Sequence, residues 1–203
     1  MVDERESVTA KICAFVRAWH SNRSREKIYD DYLAYDMLGK DEYDSTAKLI
    51  DRIAGFPEGT AGEEKSRFID EYFTPIPLSR IHFTEKRLTE FAEENGKIQY
   101  VICGSGLDTF SFRNANDNIE VFEIDHPDTQ RYKLEKIKEL GWILRKNVHY
   151  VPVDFEKEKM SDRLLESGFD PSGKTFSVYW AYPITLHLMC FPIRLNRWLN
   201  SHP

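Results

Sequence analysis

The run Gln99-Tyr-Val-Ile-Cys103, closed by Gly104, limits the architecture of this chain more than any other segment. A short, continuous apolar run rich in β-formers reads as a strand covered on both faces, the situation of strands in a parallel sheet. Two more runs repeat the pattern, Glu120-Val-Phe-Glu-Ile-Asp125 and Val148-His-Tyr-Val-Pro-Val-Asp154. Between them, Asp128 to Leu140 has a helical pattern with Tyr132, Leu134, Ile137 and Leu140 on or near its apolar side. Parallel neighbours need a crossover connection, usually a helix. Strand, helix, strand, helix, strand therefore predicts an α/β chain with a doubly wound sheet.

Upstream the pattern is helical. Val8, Ile12, Phe15, Val16 and Trp19 fall on one face of a first helix. Asp30 to Leu38 and Ser45 to Ile53 read as two short helices, and Gly55-Phe-Pro-Glu-Gly-Thr-Ala-Gly is a turn-rich break after them. Phe83 to Asn95 reads as an amphipathic helix with Thr84 as N-cap and Asn95-Gly96 as its stop.

Composition narrows the function classes. A chain of 203 residues, 41% hydrophobic and 31% charged, is expected to be one globular domain, or one domain with an appendage. With 28 basic and 34 acidic residues the net charge is −6, so neither a nucleic-acid backbone nor an anionic membrane is an expected partner. Three dispersed cysteines, Cys13, Cys103 and Cys190, fit neither a disulfide framework nor a zinc spacing. His20, His82, His126 and His149 form no ligand spacing either, and no metal is expected. The charged N-terminus lacks a signal peptide's apolar stretch, and no run approaches the roughly 18 apolar residues of a membrane span. A cytoplasmic location is the expectation.

Three features fall at the carboxyl ends of the expected strands, where open α/β sheets bind ligands. Gly104-Ser-Gly106-Leu-Asp108-Thr109 follows the first strand, and its glycines allow a tight turn and close approach of backbone to ligand. It lacks the third glycine of a dinucleotide loop, which favours a ligand without a pyrophosphate. Asp125, preceded at the alternate position by Glu123, ends the second strand, where a carboxylate can accept from ribose hydroxyls. Asp154 ends the third and can accept from an amine such as adenine N6. Singly, such a loop is an ordinary turn and such an acid a helix cap, and Asp128 is a further candidate cap for the helix after His126-Pro127. In this order and spacing they describe an adenosyl pocket.

These residues resemble a known family. Tyr100-Val-Ile-Cys-Gly-Ser-Gly-Leu-Asp-Thr-Phe-Ser-Phe-Arg113, Val121-Phe-Glu-Ile-Asp-His-Pro127 and Tyr150-Val-Pro-Val-Asp-Phe155 are similar to three successive motifs of the leucine carboxyl methyltransferase-like family of S-adenosylmethionine-dependent methyltransferases. Ser7-Val-Thr-Ala, Ile28-Tyr-Asp-Asp-Tyr-Leu33 and Pro77-Leu-Ser-Arg80 extend the similarity, which covers about Ser7 to Phe176. The resemblance implies a class I, Rossmann-like methyltransferase fold with an N-terminal helical cap, and S-adenosyl-L-methionine as cofactor. It also implies an enzyme that transfers methyl groups to a carboxylate or hydroxyl on a small molecule or a protein C-terminus. Gly104 and Gly106 would line the methionine part of the cofactor, Asp125 the ribose and Asp154 the adenine, with Arg80 pairing with its carboxylate. Catalysis of this kind is mostly orientation of donor against acceptor. The alternatives are a non-catalytic adenosyl- or nucleotide-binding module and, less favoured, an NAD-dependent oxidoreductase.

The tail departs from this pattern. All 34 acidic residues precede Pro171, and Val178 to Leu199 has no clean period. Family members continue through a motif like Leu-Gly-Val-Ser-Tyr-Tyr-Leu-Thr, which the residues after Ser177 do not match. Reading the codons of Tyr179-Trp-Ala-Tyr-Pro-Ile-Thr from the third base of the first gives Leu-Gly, then Leu, Ile or Val, then Ser or Pro, compatible with that motif. The expectation is a frameshifted, truncated methyltransferase that binds cofactor weakly or not at all and does not turn over, the alternative being a natural short paralogue. The expected organisation is a helical cap at 1–75, a partial cofactor-binding domain at 76–177 and a non-family tail at 178–203.

Overall fold

The computed structural model describes residues 4–23 and 26–180. The chain forms two compact units, one of Met1–Phe83 with Leu107–Thr109 and the other of Thr84–Gly106 with the chain from Phe110 on. Residues 181–203, most of the expected tail, lie outside the described residues.

The first unit is helical: α1 (Glu4–Arg23), α2 (Ala34–Leu38), α3 (Lys40–Ala54), α4 (Gly62–Phe68), a π-helical turn at Ile69–Phe73, and the start of α5 (Pro75–Asn95). Helix α1 carries the expected Phe15, Val16 and Trp19 inward, but residues 14–20 are buried all the way round while Val8 is exposed. Arg17 and His20 are therefore enclosed along with the apolar residues. His20 Nε2 accepts the Ile28 N–H at 3.0 Å, and burial pulls the His20 pKa down, as suits an acceptor ring. Helix α2 starts at Ala34, not Asp30, because the Asp31 carboxylate accepts the Leu33 N–H and its carbonyl accepts that of Ala34. Helix α3 runs wider than expected and ends on Gly55 in the left-handed conformation.

Helix α5 starts eight residues before the expected Phe83. Pro75 and Pro77 occupy its first turn, where the missing N–H groups would have had no helical partner. Thr84 is consequently buried in mid-helix and caps nothing.

The second unit contains the end of α5 and then β1 (Ile98–Cys103), α6 (Phe110–Arg113), β2 (Ile119–Asp125), α7 (Pro127–Glu139), β3 (Val148–Pro152), α8 (Met160–Glu166) and β4 (Thr175–Tyr179). The four strands make one parallel sheet in the order β3-β2-β1-β4. This is the expected doubly wound arrangement; α8 and the extent of β4 had no clear sequence signal. Strand β1 is buried along its whole length, and alternate residues feed two cores. Tyr100 and Ile102 pack with Leu88, Phe110, Val121 and Phe176, whereas Val101 and Cys103 pack with Phe122, Val151, Leu164 and Phe169. Helix α5 and α6 are tied by a two-pronged ion pair of Arg113 with Glu85, at 2.7 and 3.2 Å. Strand β4 pairs with β1 as far as Tyr179↔Cys103, and the Trp180 N–H donates to the Cys103 carbonyl.

Helix α7 buries Thr129, Gln130, Lys133 and Ile137, while Leu140 of the expected apolar side is exposed. Lys133 turns inward because Glu123 of β2 is there to meet it. Both are fully buried, the ammonium donating to one carboxylate oxygen while Ser111 Oγ donates to the other. Removing one partner of such a pair strands a charge, whereas removing both does not. Lys133→Met is expected to cost about 3–5 kcal/mol in urea unfolding, and Lys133→Met combined with Glu123→Leu to recover most of it.

Candidate functional site

The order β3-β2-β1-β4 reverses direction at β1, which comes first along the chain and is flanked on either side by strands that come later in sequence. The crevice outside the carboxyl end of such a strand is where open α/β sheets take their ligands. The Gly104–Gly106 turn occupies that position. Gly104 (φ +75°) and Gly106 (φ +49°) both adopt the left-handed backbone that a side chain would disfavour.

The turn is fastened to the end of β2. Gly104 and Ser105 both donate to the Ile124 carbonyl, at 2.8 and 3.1 Å. Gly106 N–H donates to Asp125 Oδ2 at 2.6 Å, and His126 N–H to Asp125 Oδ1 at 2.7 Å. Burial pushes the Asp125 pKa up, while the two N–H groups and the nearby Lys133 and His126 charges oppose that rise. A carboxylate oxygen has two lone pairs. With one spent on a backbone N–H, each oxygen of Asp125 keeps an acceptor position, which matches the two hydroxyls of a ribose.

Asp154 lies two residues past the end of β3, which stops at Pro152 instead of continuing to Asp154 as expected. The strand pairing reaches Asp125↔Pro152, and the Val153 N–H still donates to the Asp125 carbonyl at 2.9 Å. The Asp154 carboxylate accepts from Lys157 Nζ at 2.6 Å and from the Glu156 N–H at 3.1 Å, and the Lys157 contact holds its pKa below the ordinary value. Gly104, Gly106, Asp125 and Asp154 are thus gathered along one edge of the sheet. Arg80, the remaining candidate, is half-buried in the part of α5 that belongs to the helical unit. Its charge, like that of Arg17, lowers the Cys13 pKa against the stronger upward pull of burial.

His126 had no role in the sequence reading and here has a defined one. It is the N-cap of α7, with Pro127 in the first turn and its Nδ1 accepting the Asp128 N–H at 3.3 Å. The cap is thus His126 and not Asp128; the Asp-His-Pro order, with Pro starting a helix, is the signal that marks it. Cys103, immediately before the turn, is buried, and that burial, followed by the nearby Asp125 charge, pushes its pKa up to about 12.

Known proteins support a common reading of these elements. Residues 10–182 match the family described as Leucine carboxyl methyltransferase, and the chain belongs to that family. It is 35% identical over 188 residues to a Bacillus subtilis (strain 168) protein named as an S-adenosyl-L-methionine-dependent methyltransferase, YktD, a match covering 88% of this chain and 62% of YktD. A similarly named protein of Mycolicibacterium smegmatis is 28% identical over 82% of this chain and 53% of its own length. One from Mycobacterium sp. (strain KMS) is 34% identical over 72% of this chain and 53% of its own. The chain therefore spans about half to three fifths of the length of these relatives.

The two site carboxylates should titrate apart. By carboxyl carbon NMR, Asp125 is expected to titrate above an ordinary aspartate and Asp154 below one. The linkage signs are opposite. Ionised Asp125 opposes folding, a cost relieved as pH falls through its raised pKa. The Asp154 contribution favours folding and is lost as pH falls through its lowered pKa. Lys157→Ala should return Asp154 towards the ordinary value and leave Asp125 unmoved; a shared shift would contradict the assignment.

Proposed function

We propose that the chain is the adenosyl-binding portion of an S-adenosylmethionine-dependent methyltransferase acting on a carboxylate or hydroxyl oxygen. The observation that carries this reading is the Asp125 carboxylate at the strand-order reversal, fastened to the Gly106 N–H with an acceptor position spare on each oxygen. In the reading, Asp125 takes the ribose hydroxyls and Gly104 and Gly106 admit the methionine part against bare backbone. Asp154 accepts from the adenine amine by exchanging Lys157, the solvent-exposed member of its ion pair. Arg80 supplies a two-pronged cation for the cofactor carboxylate. The bound cofactor supplies a methyl group activated on a sulfonium sulfur. The protein's own share is to orient that group against the acceptor and exclude water.

The similarity to relatives bearing the methyltransferase name supports the same reading over a non-catalytic adenosyl module. The absence of a third glycine supports it over an NAD-dependent oxidoreductase. A cytoplasmic setting belongs to the proposal, in keeping with the free thiols Cys13 and Cys103. Among the described residues no helix is long and apolar enough to cross a membrane.

The reading also includes a change of frame near Ser177, supported by the loss of acids after Asp170 and by the Leu-Gly sequence hidden in the shifted codons. The 203-residue chain is accordingly expected to bind S-adenosylhomocysteine weakly and to transfer no methyl group. Millimolar S-adenosylhomocysteine should raise the melting temperature by a few degrees and NAD should not, because a ligand stabilises only the state that binds it. Asp125→Ala should abolish the shift; a shift with NAD alone would overturn the cofactor assignment. Sequencing the DNA tests the frame, and a gene in which no single-base change near codon 177 opens a longer frame rejects it.

A further inference from the structure

The second half of the glycine segment is held from elsewhere. Leu107, Asp108 and Thr109 belong to the helical unit, where they meet a buried ion pair. Arg17 Nε lies 2.9 Å from Asp31 Oδ2, with both side chains almost completely enclosed. Arg17 Nη2 donates to the Leu107 carbonyl at 2.7 Å, and Thr109 Oγ1 donates to Asp31 Oδ1 at 2.5 Å. Asp31 Oδ1 also accepts the Leu33 N–H, so the carboxylate is fixed by its own turn as well as by the arginine. The guanidinium pairs with the carboxylate on its Nε side and donates to a backbone carbonyl through Nη2, an arrangement a lysine cannot reproduce.

A glycine segment has a wide choice of backbone conformations and no side chains with which to select one. Gly106 is fixed on one side by its N–H bond to Asp125, and the residue that follows it is fixed by Arg17. We infer that Arg17 and Asp31 are positioning residues for the cofactor turn, setting the conformation in which Gly104 to Gly106 presents its backbone to the ligand. This rests on the cofactor reading above. Neither residue is assigned a contact with cofactor or acceptor. Their effect passes through Leu107 and Thr109.

The test uses the full 203-residue chain and two measurements. Amide exchange of a peptide covering residues 104–113, read by mass spectrometry without ligand, reports the hold on the turn. Equilibrium dialysis with S-adenosylhomocysteine up to millimolar concentration reports its consequence. In Arg17→Met combined with Asp31→Leu, which removes both charges and avoids stranding one, exchange of that peptide should rise about tenfold or more while peptides from β1 and β2 stay as protected as before. Affinity should fall about tenfold as the turn loses its preorganisation. Arg17→Lys should show a smaller loss in both. Thr109→Val, which leaves the ion pair in place, gives the same test if the double variant does not fold. Unchanged exchange overturns the inference, and so does faster exchange with unchanged affinity. If the parent chain fails to bind S-adenosylhomocysteine at all, the cofactor reading falls, and the exchange result still decides whether Arg17 and Asp31 hold the segment.

Discussion

The hydrogen bonds of β1 are the constraint on which the sheet unit depends. This strand is enclosed on both faces, so each of its backbone N–H and C=O groups must find a protein partner. It finds them in two parallel neighbours, β2 and β4, which belong to distant parts of the chain. Satisfying β1 thus brings residues 119–125 and 175–179 to its two sides and places the end of β2 beside the Gly104 turn. The candidate site follows from that pairing. Asp125 reaches Gly106 because Cys103 stands opposite Ile124 in the register, and a slip of one residue would turn Asp125 to the other face.

Buried charge is handled in two different ways around this framework. Glu123 and Lys133 neutralise one another inside the sheet unit, with Ser111 donating to the second carboxylate oxygen. Arg17 and Asp31 do the same inside the helical unit, where Arg17 also donates to the Leu107 carbonyl and Asp31 accepts from the Leu33 N–H and the Thr109 hydroxyl. Asp125 is held instead by the backbone N–H groups of Gly106 and His126, and burial raises its proton affinity. Two of the carboxylates are thus committed to structure, whereas the third retains acceptor capacity at the edge where open α/β sheets in general take their ligands.

The sheet and the glycine turn were legible because their signals are local. Continuous β-rich runs mark strands enclosed on both faces, and glycine marks positions of positive φ, whatever lies elsewhere in the chain. Gly104, Gly106 and Asp125 could be assigned to one edge from order and spacing alone, and the sheet brings them there. The beginning of α5 was not legible, since Pro75 and Pro77 suggest a break when they in fact fit a first turn. The inward face of α7 was missed for another reason. A lysine reads as solvated until its partner is known, and Glu123 lies ten residues away on a neighbouring element. His126 was passed over because its capping role depends on the helix beginning at Pro127.

By itself the sequence determined the class of this protein: a doubly wound α/β chain with a glycine turn after its first strand and acids after the next two, features that depend on the periodicity and conformational freedom of neighbouring residues. Only the tertiary structure decided what those residues do for one another. Arg17 and Leu107 are 90 positions apart, and Thr109 and Asp31 are 78 apart. No local preference encodes such contacts, because they exist only once burial has removed the water that would otherwise satisfy each polar group separately.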